Sequence, residues 1–122
     1  MGIDEPAGNP PDQSRRLPLE LAELLTPPLE HALNHPLRRD VLRALNRAGE
    51  PLTAPELAAS IPVASITLIN YHAAVLERCD LLRATENAVA GDGFGRRYAS
   101  NVAADVQIIA ILGATETMDR PA

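Results

Sequence analysis

Apolar positions recur at helical spacing in short runs that proline and glycine separate. Leu17, Leu21, Leu24 and Leu25 share one helical face, which Thr26-Pro27-Pro28 interrupts. Pro28 suits the opening of a second short helix, PLEHALNH, in which Leu29 and Leu33 lie one turn apart. His35-Pro36 ends it, because a residue before proline disfavours the α region. Pro36 then falls in the first turn of LRRDVLRALNRAG. Leu37, Val41, Leu42 and Leu45 form the expected buried stripe of this helix, and Arg38, Arg39, Arg43 and Arg47 occupy its other faces. Gly49 supplies the stop. Pro51-Leu52-Thr53 has room for one edge strand.

Thr53 and Glu56 make a T-x-x-E capping box that opens APELAASI, with Leu57 and Ala58 facing inward. Ile61-Pro62-Val63-Ala64 is a turn. Ser65 caps the next helix, ITLINYHAAVLERCD, whose core face is Ile69, His72 or Ala73, and Leu76. Asp80 stands where glycine often follows such a helix. Leu81 to Ala88 reads as a strand and Arg96 to Ser100 as its return. Gly91, Gly93 and Gly95 favour a hairpin loop between them. NVAADVQIIAILGATETM is helical, with Asn101 as its expected cap. Its stripe is Val102, Val106, Ile109 and Leu112, widened by Ile108 and Ile111.

This order predicts a mainly α fold with a small β-hairpin wing: a winged helix-turn-helix with additional N- and C-terminal helices. The expected divisions are an acidic disordered arm (1–16), N-terminal helices (17–34), the winged helix-turn-helix (35–100) and a C-terminal helix (101–118).

Composition narrows the setting. A length of 122 residues suits one domain. With one Phe, two Tyr and no Trp, the core must come from Leu, Ile, Val and Ala. All 11 cationic residues are Arg, a bias that lowers the weight of Arg over Lys at any one position. One Cys excludes an internal disulfide and a cysteine-cluster zinc site. The start, MGIDEPAGNPPDQSRR, lacks the apolar segment of a secretory signal. No run approaches the ~18 apolar residues of a membrane span. A soluble cytoplasmic protein is the expectation.

The net charge is −5, but the acids are concentrated at the ends. Residues 35–100 carry eight Arg against seven acids, whereas residues 1–34 carry two against six and the tail from Asn101 one against three. The central module is close to neutral, so its long-range attraction for DNA is weak unless its arginines share a face.

HPLRRDVLRAL, LTAPELAASI, INYHAAVLERCDLL and GRRYAS together resemble the ArsR-like winged-helix transcriptional regulators of bacteria, over roughly residues 29–100. The resemblance implies a homodimer on double-stranded DNA, with helix 65–79 in the major groove and wing 81–100 on backbone or minor groove. It implies DNA contacts from Ser65, Thr67, Leu68, Asn70 and Tyr71. Asn70 has the groups to read an adenine edge, Thr67 or Leu68 to meet a thymine methyl, and Tyr71 to donate to a phosphate. Arg96 and Arg97 match the basic wing strand, and Arg38 and Arg39 are candidates for further backbone contacts.

The dimer interface implied is Leu17, Leu21, Leu24 and Leu25 with Val102, Val106, Ile109 and Leu112, an apolar face wide enough to want a partner. Relatives that sense metals pair cysteines on the DNA-proximal helix or place Asp and His on the last helix. Cys79 stands alone, Asp105 has no His beside it, and His31 and His35 make at most half a zinc site. No metal or cofactor is expected. The sequence carries no nucleophile-elbow, zinc-protease, P-loop or dinucleotide motif, so no enzyme is expected either. The alternative is an acidic winged-helix adaptor that holds another protein through Ile66 and Leu68 or the terminal helices.

Overall fold

The computed structural model describes residues 16–62, 64–86 and 96–120. These form α1 (Leu19–Ala22), α2 (Pro27–Leu33), α3 (Pro36–Ala48), β1 (Leu52–Thr53), α4 (Ala54–Ser60), α5 (Ile66–Arg78), β2 (Leu82–Glu86), β3 (Arg96–Ser100) and α6 (Val106–Asp119). This is a winged helix-turn-helix: mostly helical, with a small antiparallel sheet. Arm residues 1–15, Val63 and the glycine-rich segment between β2 and β3 lie outside the described residues.

Local chemistry sets the helix ends. Thr53 Oγ1 accepts from the Glu56 amide at 3.2 Å and Glu56 Oε1 accepts from the Thr53 amide at 2.8 Å, completing the capping box of α4. Ser65 Oγ accepts from the Leu68 amide at 3.1 Å and fixes the start of α5. At the other end of α5, Asp80 takes a left-handed φ of 63°. The Leu81 amide then reaches Leu76 O at 3.0 Å and the Asp80 amide reaches Glu77 O at 3.0 Å, the two bonds of a Schellman turn. Asp substitutes for glycine here because it tolerates positive φ better than most residues. The chain thus turns directly from α5 into β2.

The sheet order is β1-β3-β2, both pairings antiparallel. β3 is the central strand: Tyr98 lies opposite Leu52 on one side and Ala84 on the other. The predicted edge strand is therefore present and braces the wing strands against the helix pair.

The core joins Val41, Leu42 and Leu45 of α3 to Leu57, Ile69, Leu76 and Leu82. It also takes in Leu17 and Ala22 from one flank and Ile108, Ile111 and Leu112 from the other.

The terminal segments differ from the sequence expectation. α1 has four residues, and Leu17 is buried just ahead of it, its amide donating to Asn34 Oδ1 at 2.8 Å. α6 begins at Val106, not at Asn101, because Asp105 Oδ1 accepts from the Ile108 amide at 3.0 Å. Asn101 instead accepts from Arg83 at 2.7 Å and donates to Asp80 O at 3.2 Å.

The inward stripe of α6 is Ile108, Ile111, Leu112, Thr115 and Asp119, rotated from the predicted one. Apolar residues surround the first half of this helix, so periodicity alone could not fix its phase. Leu17, Val102 and Leu112, expected at a dimer interface, are instead buried in the subunit's own core. Leu21 and Leu25 are half-buried against that core. Leu24, Val106 and Ile109 remain exposed, at 60%, 80% and 43%.

Candidate nucleic-acid interface

α4 and α5 are the two helices of the helix-turn-helix, and α5 starts at its Ser65 cap. Ile69, His72, Ala73 and Leu76 turn inward, which settles that both His72 and Ala73 belong to the core face. Ser65, Thr67, Leu68, Asn70 and Tyr71 are all exposed, and Ile66 joins them. From Ser65 to Leu76 there is no charged side chain; the first are Glu77 and Arg78.

Asn70 is tied down. The Tyr98 hydroxyl of β3 donates to Asn70 Oδ1 at 2.6 Å, joining the wing base to the middle of α5. Burial pushes the Tyr98 hydroxyl above its ordinary pKa, so it remains a donor at neutral pH. A shallow groove between α4, α5 and β3 is lined by Pro55, Asn70, Glu77, Arg96 and Tyr98.

Arg96 and Arg97 lie at the base of the wing, each facing a carboxylate from the helix pair. Arg96 is 3.8 Å from Glu77 and Arg97 is 3.6 Å from Glu56. All four side chains are at least one-third exposed, so both pairs are open to competition by another anion. The hydrogen bond from the Thr53 amide, with the nearby Arg97 charge, holds Glu56 below its usual range, so it stays ionised.

Arg38 and Arg39 do not belong to this surface. They are 8% and 0% exposed, which overturns the expectation that they touch a DNA backbone. Arg38 Nε donates to His72 Nδ1 at 3.1 Å and its Nη1 to His31 O at 2.9 Å. Arg39 donates to Leu33 O at 2.6 Å and to both oxygens of Asp119. Arg43 reaches Asp119 Oδ2 at 2.7 Å, Thr115 Oγ1 at 2.7 Å and Leu112 O at 3.0 Å. These arginines hold α2, α5 and α6 onto α3. Their structural role is the reason they are out of reach.

His72 is a core residue whose ring lies 4.3 Å from that of His35 and 5.0 Å from that of Tyr71. His35 caps α3, its Nδ1 accepting from the Leu37 amide at 3.1 Å. Cys79 is half-buried, with Sγ 3.8 Å from Pro28 O. Among the described residues, no three His, Cys, Asp or Glu side chains come together as a metal site. No described helix is long and apolar enough to cross a membrane.

Sequence reasoning missed Tyr98, Glu56 and Glu77 as members of this surface. Tyr98 had a signal, since an aromatic in a strand next to two arginines is poised to pack against a neighbouring helix. The carboxylates had none, because their meeting with the wing depends on tertiary placement.

Residues 33–86 match the family described as a helix-turn-helix domain. The matched span runs from the end of α2 to the end of β2 and includes both reader helices. Neither the curated proteins nor the solved structures gave a match. The fold is that of a winged helix-turn-helix, and a DNA-binding regulator is the class that the matched domain suggests.

Proposed function

We propose that this chain is a sequence-specific transcriptional regulator of the ArsR-like kind, acting in the bacterial cytoplasm as a homodimer that represses by occupying its operator. α5 enters the major groove with Ser65, Thr67, Leu68, Asn70 and Tyr71, and Arg96 and Arg97 contact phosphates or the minor groove. The observation that carries this reading is the exposed, uncharged start of the second reader helix standing beside two wing arginines. No metal, cofactor or catalytic step enters it.

The dimer reading rests on the apolar surface left outside the core. Leu24, Val106 and Ile109 are exposed, and Gln107 Nε2 donates to Leu24 O at 3.3 Å, which brings the first segment beside the start of α6. In this reading a twofold contact across the strip pairs two subunits on a pseudo-palindrome.

Retardation of duplex DNA over a range of salt concentrations tests the function. Binding that weakens steeply with salt, and is weaker still in Arg96→Ala, is the expected result. A protein that retards no duplex at micromolar concentration and low salt would overturn it, and the adaptor reading would take its place.

A further inference from the structure

We infer that the reader helix selects its DNA chiefly through thymine methyl groups, with Leu68 as the side chain that recognises them. This rests on the DNA-binding reading above and names what that surface reads.

The warrant is the inventory of groups at the start of α5. Guanine is most often read by an Arg or Lys forked onto O6 and N7, and cytosine by a carboxylate. Neither kind of side chain occurs between Ser65 and Leu76. Adenine is read by an amide that accepts and donates at once. Asn70 is the only amide in that span, and the 2.6 Å bond from the Tyr98 hydroxyl takes one of the two lone pairs of its Oδ1 and holds the side chain toward the wing strand. Ser65 Oγ is already engaged as the helix cap.

What α5 offers instead is apolar surface. Leu68 is 44% exposed, Tyr71 58% and Ile66 37%. Leu68 and Tyr71 are three residues apart, so they are neighbours on one face, and Thr67 adds a methyl one turn from Tyr71. The thymine C5 methyl is the one apolar group that a base pair displays in the major groove. The arginines that meet phosphates are on β3, so attraction to the backbone and reading of the bases are divided between two elements. An exposed leucine on the leading face of a reader helix thus has a partner of matching chemistry in T-rich sites.

Replacing thymine by deoxyuridine removes that methyl and leaves every base-edge hydrogen-bonding group in place. A random duplex pool is first enriched on the full-length protein, and the recovered duplex is resynthesised with deoxyuridine at each thymine of a half-site in turn. The expected result is a loss of affinity of about fourfold at one or more positions, the ratio that burying one methyl gives. Leu68→Ala should weaken the thymine duplex by a similar factor and bind the thymine and deoxyuridine forms equally. Thr67→Ser, which keeps the hydroxyl, should retain the preference for thymine.

Equal binding of both duplexes by the unsubstituted protein would overturn the inference and leave the DNA reading intact. So would a full preference for thymine in a folded Leu68→Ala protein. A pool that yields no enriched duplex would overturn the DNA reading itself, and this inference with it.

Discussion

Arg39 and Asp119, 80 residues apart in sequence, meet in the interior through two hydrogen bonds of 2.7 and 2.5 Å. The guanidinium is fully buried and the carboxylate is 1% exposed. Arg43 closes on the same carboxylate at 2.7 Å. The last turn of α6 is thereby fastened to α3 by ions rather than by packing alone. Removing one member of such a cluster leaves the others buried and unmatched. Asp119→Ala is expected to lose about 3–5 kcal/mol of stability, measured by urea unfolding at neutral pH. A loss below about 1 kcal/mol would mean that water reaches the two arginines.

The same carboxylate gives the protein a defined response to acid. Burial alone would raise Asp119, but the hydrogen bonds and charges of Arg39 and Arg43 outweigh it and hold the group below its usual range. A depressed folded pKa contributes stability above the unfolded value, and that contribution is lost as pH falls through the folded one. Asp40 works in the opposite sense, since burial raises it despite Arg43. Its contribution is present below its unfolded pKa and lost as pH rises through the raised value. Unfolding free energies from about pH 6 to about pH 3 should therefore fall less steeply in Asp119→Asn than in the unsubstituted protein. An unchanged slope would remove Asp119 from the account.

The sequence made the reader legible and left its supports obscure. Thr53, Glu56 and Ser65 are local signals, each acting within three residues, and they placed α4 and α5 correctly. The three glycines between two strand-like runs and the short Pro51-Leu52-Thr53 segment likewise pointed to a hairpin and one added edge strand, the pieces of the observed sheet. Arg38 and Arg39 misled because their burial depends on His72 and Asp119, which lie far along the chain. A charged residue reads as surface until its partner is known. The phase of α6 failed for the same reason. Asp119 and Thr115 mark its inner face, and only the arginines of α3 make that face habitable for them.

The carboxylates beside the wing should restrain DNA binding. Glu56 and Glu77 pair with Arg97 and Arg96, the arginines to which the proposed function gives the phosphates. Glu56→Gln removes the charge yet keeps a side chain suited to the capping box, so α4 should stay intact. Glu56→Gln and Glu77→Gln are each expected to tighten binding by about threefold at low salt, as read by fluorescence anisotropy. The gain should vanish in the matching Arg97→Ala and Arg96→Ala backgrounds. A gain that persists there would trace to net charge, not to these pairs.

Tyr98→Phe separates the wing's grip on α5 from the packing of β3. The ring remains buried while the 2.6 Å bond to Asn70 is lost. Stability should fall by about 1 kcal/mol, the ordinary worth of one such bond, because the exposed Asn70 can turn to water. The freed amide can then turn its acceptor and its donor together toward an adenine edge. Enrichment of random duplexes should then show a new adenine preference in Tyr98→Phe that Asn70→Ala, Tyr98→Phe lacks. An unchanged site would mean that Asn70 never faces the bases.

The two faces of α6 predict opposite outcomes for the same kind of substitution. Val106 and Ile109 are exposed and three residues apart on the outer face, whereas Ile108 and Leu112 are buried. A charge at Leu112 enters the core with no partner, so Leu112→Asp should unfold the chain. Val106→Asp and Ile109→Asp meet solvent in a lone subunit and should leave its stability within about 0.5 kcal/mol. In a dimer built on this strip they place like charges against each other and against apolar surface. Light scattering at high micromolar concentration should therefore report a dimer for the unsubstituted protein and a folded monomer for Ile109→Asp. DNA affinity should fall with the mass, because a monomer grips one half-site where the dimer grips two. A dimer that survives both substitutions would move the interface to another surface of the subunit.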